Sequence, residues 1–197
     1  MKKLFLIVMM ISCVKLHAQS LKKNQAYLIP QIGLLSGDHS NSFQFQLAGG
    51  FTAKNWRIGM GTGLDYYKVR SVPIYADVRR YFGYEKSAFA FVNLGFNVPW
   101  PLEDQYKIAL VPGGNIKNTF EMGWYSDAGL GYDIELGKQK SLSISLGYSI
   151  KNFTEKFDDR YDFILQLPFI QPGVTPTERK FEYTFRRLSV KAGFRLW

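Results

Sequence analysis

The stretch MGWYSDAGLGYDIEL, Met122 to Leu136, carries the pattern that decides the fold. Met122, Trp124, Ala128, Leu130, Tyr132, Ile134 and Leu136 are apolar or aromatic, whereas the positions between them, Gly123, Tyr125, Asp127, Gly129, Gly131, Asp133 and Glu135, are glycine, tyrosine or acid. A β-strand sends successive side chains to opposite faces, so this is a ribbon with one greasy face and one polar, partly acidic face. What each face meets is the question the rest of the chain answers.

The same dyad recurs along the chain. Phe43, Phe45, Leu47 and Phe51 oppose Ser42, Gln44, Gln46 and Thr52; Trp56, Ile58, Met60, Leu64 and Tyr66 oppose Arg57, Gly59, Gly61, Gly63 and Asp65. VPIYADVRRYF sets Val72, Ile74, Ala76 and Val78 against Tyr75, Asp77, Arg79 and Tyr81, with Pro73 near the strand start, where a missing N–H is best tolerated. SAFAFVNLGFNV is less clean, because Phe89 and Phe91 share the face of Asn93 and Asn97. SLSISLGYSIK opposes Leu142, Ile144, Leu146, Tyr148 and Ile150 to serines, Gly147 and Lys151, and RLSVKAGFRLW opposes Leu188, Val190, Ala192, Phe194 and Leu196 to Arg187, Ser189, Lys191, Gly193 and Arg195. With a first strand near Tyr27 to Leu35, where alternation is poor, the count is eight. An even count with both termini on one side suits a closed, all-β, antiparallel up-and-down barrel.

Connections support that arrangement. Turns around Lys54-Asn55, GYEK and GKQK are short, as are the links at SGDHSN and RS, whereas 99–117 and 152–180 are long. Tight turns at one end and long loops at the other are the habit of transmembrane barrels.

The N-terminus MKKLFLIVMMISCVKLHAQS has a basic start, a short apolar run and Ala18 before a cleavage point. Residues 1–18 therefore read as a signal peptide and 19–197 as one barrel domain, the run being too short for a spanning helix. MISC offers a competing lipoprotein reading in which Cys13, the single cysteine, is acylated. Cleavage at Ala18 leaves a mature chain without thiols, stabilised by packing and backbone pairing rather than disulfides. The formal charge of +9 falls to +6 as Lys2, Lys3 and Lys15 depart, and export argues against nucleic acid as the basic chain's partner.

Alternation alone does not distinguish a soluble barrel, apolar within, from a membrane barrel, apolar without. The polar face decides. Arg57, Asp65, Asp77, Arg79, Glu121, Asp127, Asp133, Glu135, Lys151, Arg187, Lys191 and Arg195 lie on it, six basic and six acidic, separated by glycine and serine. Balanced charge among small residues fits the narrow lumen of an eight-stranded barrel, where buried ions must pair. Trp56, Tyr66, Phe82 and Tyr148 fall near strand ends of the other face, where membrane interfaces favour aromatic rings. An open edge in lipid would strand unpaired backbone groups, so the sheet must close.

With its signal, VPIYADVRRYF, AGLGYDIEL and terminal RLSVKAGFRLW, the chain resembles the small eight-stranded bacterial outer-membrane β-barrel domain family, porin-like or OmpX-like. The resemblance implies residence in the outer membrane of a Gram-negative envelope, with lipid and the barrel-assembly machinery as partners. Phe194, Leu196 and Trp197 would form the carboxy-terminal assembly signal, although Trp197 is out of phase with the apolar set. A monomer without cofactor, metal or nucleic acid is expected, its external ligand unknown.

Catalytic signals are sparse. His39, in SGDHSNS, is the one histidine left after the signal, and the His-x-Ser spacing of barrel deacylases is absent. The glycines of GMGTG suit a crowded lumen rather than a nucleotide loop. Asp158, Asp159 and Asp162 make a poor calcium site, since Lys156 and Arg160 sit among them. YDFILQLPFI is expected to pair with FEYTF as a hairpin above the membrane. The reading is a non-catalytic barrel with a filled lumen, serving interaction or envelope integrity through external loops. The alternatives are an outer-membrane enzyme acting on lipid and a soluble, lipocalin-like periplasmic carrier.

Overall fold

The computed structural model describes residues 26–37, 40–83, 86–101, 118–137, 140–158 and 178–196. The signal segment with Cys13, His39, Asp159, Arg160, Asp162, YDFILQLPFI and Trp197 lie outside them, as does the side chain of Asp158.

The strands are β1 (Ala26–Gly37), β2 (Ser40–Ala53), β3 (Trp56–Asp65), β4 (Ser71–Phe82), β5 (Ala88–Pro99), β6 (Asn118–Glu121), β7 (Gly123–Glu135), β8 (Ser141–Asp158) and β9 (Glu178–Arg195). Each pairs antiparallel with its neighbour, and β9 returns to β1 through Gln31↔Gly193 to Gly37↔Arg187, closing the sheet. β6 and β7 together form one barrel strand along β8, so the barrel is eight-stranded. Following the register from Gly37 through Arg187, Ser149, Asp127, Asn93, Asp77, Gly59 and Gly50 returns to β1 at Tyr27, a stagger of ten positions. That shear tilts the strands and sets a bore that side chains can fill.

The two faces differ sharply in exposure. Outside stands an apolar belt including Phe45, Leu47, Ile58, Ile74, Leu94, Leu130, Ile144, Leu146 and Val190. Inside are Gln44, Asp65, Asp77, Asn93, Asp127, Ser149 and Lys151. Trp56 and Phe82 lie beside the turns at one end of this belt, with Tyr66 at the other. Tight turns join β2 to β3, β4 to β5 and β7 to β8 at a single end; Lys54 makes the first with a left-handed φ of 56°.

The first strand alternates poorly in sequence for a simple reason: Ile29 and Leu35 point inward beside Tyr27 and Gln31, while Pro30 and Ser36 point outward. β3 ends at Asp65, leaving Tyr66 to Arg70 as the link to β4.

The largest departure from expectation is the length of β8 and β9, 18 residues each. YDFILQLPFI, the partner expected for FEYTF, lies outside the described residues, and FEYTF is paired along one edge within the described chain. Its partners are Lys151 to Glu155, through Phe181↔Glu155, Tyr183↔Phe153 and Phe185↔Lys151. The hairpin therefore continues past the barrel, and β6 adds a third strand through Asn118↔Phe157 to Glu121↔Thr154.

Candidate functional site

Inward-facing charges form the one concentrated chemistry among the described residues. The period-two backbone delivers them from different strands to the same bore. Lys191 Nζ from β9 lies 2.7 Å from an Asp127 carboxylate oxygen on β7, with the Ser189 hydroxyl donating to that carboxylate at 3.2 Å and Tyr125 at 3.3 Å. Arg79 donates to both oxygens of Asp77 at 3.1 Å, and Tyr27 from β1 donates to the same group at 3.0 Å.

Nearer the tight turns, Arg57 pairs with Asp133 at 2.9 Å; Tyr81 donates to Asp133 at 3.0 Å and contacts Arg57 directly. Toward the opposite end, Asp65 takes Arg187 and, at 3.2 Å, Lys151. The Tyr67 backbone N–H donates to Asp65 at 2.8 Å, and Lys151 also donates to the Val69 carbonyl and Ser71 hydroxyl. Each carboxylate thus meets a cation and at least one further donor. That multiplicity offsets the desolvation cost of a buried ion.

Rings fill the remaining space. The Arg57 guanidinium sits 4.2 Å from the Tyr81 ring centre and the Lys191 ammonium 4.2 Å from that of Phe91. Tyr81, Phe89 and Phe91 form an aromatic cluster within the bore, and Tyr75 packs against Tyr125 with tilted rings, centres 5.5 Å apart. Gly61 faces the Tyr75 ring so closely that any side chain there would collide with it, and Gly131 does the same for Phe89. In the sequence these aromatics fall on the polar face without an evident role. Their fit against inward glycines was the available signal.

Of the twelve charged residues singled out from sequence, the structure buries nine: Arg57, Asp65, Asp77, Arg79, Asp127, Asp133, Lys151, Arg187 and Lys191. Of the other three, Glu121 is on the opposite face from that expected, whereas Glu135 and Arg195 keep the inward face but sit at the mouth of the bore. Glu121 points outward and meets Lys156 at 2.5 Å, because the extra residue Met122 bulges from the strand and reverses its phase: Glu121 pairs with Thr154, Tyr125 with Lys151. Glu135 lies exposed at the last position of β7, past the crowded bore. Arg195 is half-buried at the corresponding end of β9. Of the residues expected to form an assembly signal, Phe194 pairs with Leu142 and the Leu196 N–H donates to the Leu28 carbonyl at 3.0 Å, while Trp197 lies outside the described residues.

No protein-family model matches the sequence, and no curated protein matches it. Among solved structures, the outer membrane protein AlkL, determined by solid-state NMR in DMPC bilayers, aligns with a TM-score of 0.51 at 12% identity, covering 89% of this chain and 92% of that one. The chain shares the fold of the small outer-membrane barrels. OprG of Pseudomonas aeruginosa (TM-score 0.49, 11% identity, 88% and 95% covered) and Neisserial surface protein A (0.45, 12%, 86% and 95%) also align.

Above the ion-paired bore, this barrel carries a second cluster. Phe153 is 2% exposed and packs against Tyr183 at 5.3 Å, Phe185 at 5.5 Å and Phe120 at 5.7 Å. Burial, then the hydrogen bond with Glu155, raises the Tyr183 phenol above its ordinary range. No grouping of His, Cys, Asp and Glu able to hold a metal occurs among the described residues.

Proposed function

We propose that the protein is an integral outer-membrane barrel with a closed, ion-paired lumen, which works through its external end in interaction or envelope integrity and catalyses no reaction. One observation carries this reading: the exposed belt is apolar while the charges are inside, the inverse of a water-soluble barrel. Leu146 is 59% exposed and its neighbour Ser145 5%. A soluble carrier would leave that belt in water, a patch far larger than soluble monomers tolerate.

Transport of bulk solute fits poorly with a bore crossed by Arg57–Asp133, Arg79–Asp77, Lys191–Asp127 and the Asp65 pairs. The lipid-enzyme alternative would have to use hydroxyls such as Ser71 beside Lys151 or Ser189 beside Asp127, which are buried inside the bore and away from the apolar belt. The test is reconstitution into a planar bilayer after confirming heat-modifiable mobility on a gel. Folded protein should pass no steady current. A stable, weakly selective conductance would refute the closed lumen, and recovery of the protein in the soluble periplasmic fraction would refute the membrane reading.

A further inference from the structure

On the outer wall, where β1 stops at Gly37 and β9 continues upward, a groove of about 790 Å³ opens between Ser36, Tyr148, Thr184, Arg186 and Leu188. Its composition is graded. Tyr148 and Leu188, 46% and 56% exposed, belong to the apolar belt, whereas Ser36, Thr184 and Arg186 are the first polar outward residues above it. Arg186 lies across from Ile150, is exposed, and makes no ion pair among the described residues.

Beyond Gly37↔Arg187, the edge of β9 that β1 pairs with lower down has no strand partner among the described residues. Among the described residues this edge offers backbone hydrogen-bonding groups beside the guanidinium.

We propose that this groove binds the phosphate-bearing headgroup of a membrane lipid, an inference resting on the membrane reading above. The planar Arg186 guanidinium suits two phosphate oxygens, the Thr184 and Ser36 hydroxyls supply further donors, and an acyl chain descends along Leu188 and Tyr148. Charge at one end and grease at the other match an anionic amphiphile better than a peptide, which would need hydrogen bonds along the whole edge. The groove is continuous with the belt, so its occupant arrives from within the bilayer.

The test is native mass spectrometry of the full chain released from phosphatidylcholine nanodiscs doped with phosphatidic acid. Wild type should retain one phosphatidic acid; Arg186→Gln should weaken retention about tenfold, and Arg186→Lys should retain an intermediate amount. Arg80→Gln, at the opposite end of the barrel, should match wild type. Equal retention by Arg186→Gln would overturn the site. Displacement by inorganic phosphate alone would also overturn it, by showing a soluble-anion site. So would a dimer indifferent to lipid composition, since a second copy would then fill the groove. Failure to insert into nanodiscs at all would strike the membrane reading first, whereas insertion with unselective lipid retention would strike only the groove.

Discussion

The β8–β9 hairpin contains two regions built on the same continuous strands with opposite faces. From Leu142 to Ile150 and from Leu188 to Phe194, the outward residues are apolar and the inward ones are serine, glycine or lysine. Past that level the outward residues become Asn152, Thr154 and Lys156 on one strand and Arg186, Thr184, Glu182 and Lys180 on the other, while Phe153, Glu155, Phe185 and Tyr183 take the inward face, with Phe181 on the same side but exposed. The backbone does not distinguish the two regions. What changes is the surroundings: lipid outside and a packed polar bore inside on the proposed reading, then water outside and an aromatic cluster inside. Which face is apolar therefore marks the boundary of the solvent, and it falls between Ile150 and Asn152 on β8 and between Leu188 and Arg186 on β9.

The largest effect should come from the bore. Asp127→Asn leaves the Lys191 ammonium without its counter-charge and should cost about 3 to 5 kcal/mol. Replacing the pair together, Asp127→Leu with Lys191→Met, should recover most of it. Urea titration in lipid vesicles measures both, and a mild single variant would show that water reaches Lys191 and the bore is wetter than described.

Next comes the same substitution on the two sides of the boundary. Leu146→Arg, in the middle of the apolar belt, should cost roughly 2 to 4 kcal/mol. Thr154→Arg, outward on the same strand above the boundary, should stay within about 0.5 kcal/mol. Comparable costs at the two positions would erase the contrast, and a benign Leu146→Arg would assign the belt to water.

Much of the barrel was legible because period-two alternation survives wherever one face meets a uniform surrounding. Eight strands, the tight-turn end and nine buried charges followed from it. The rest was hidden for identifiable reasons. Ile29 and Leu35 blur the first strand by pointing inward. The bulge at Met122 changes phase by one residue, and since Glu121 fits the earlier phase as well as the new one, composition did not betray it.

The upper part of β9 was hard to recognise as a continuation of the barrel strand because its alternation is inverted. FEYTF has a good dyad, but its aromatic residues continue the register of Arg187 and Lys191 rather than that of Leu188 and Val190. Read as an isolated segment it looks like a separate strand. Read through Arg186-Arg187 without a break, it is the same strand leaving the belt.

The boundary itself is open to direct measurement. Nitroxide labels placed one at a time at the outward positions 142, 144, 146, 148, 150, 152, 154 and 156 of β8 can be compared for collision with oxygen, which concentrates in lipid, and with a water-soluble nickel chelate. High oxygen and low nickel accessibility are expected from 142 to 150, reversing at 152 and remaining reversed through 156. High nickel accessibility at 144 to 148 would contradict this boundary, placing in water the face that this barrel turns toward lipid.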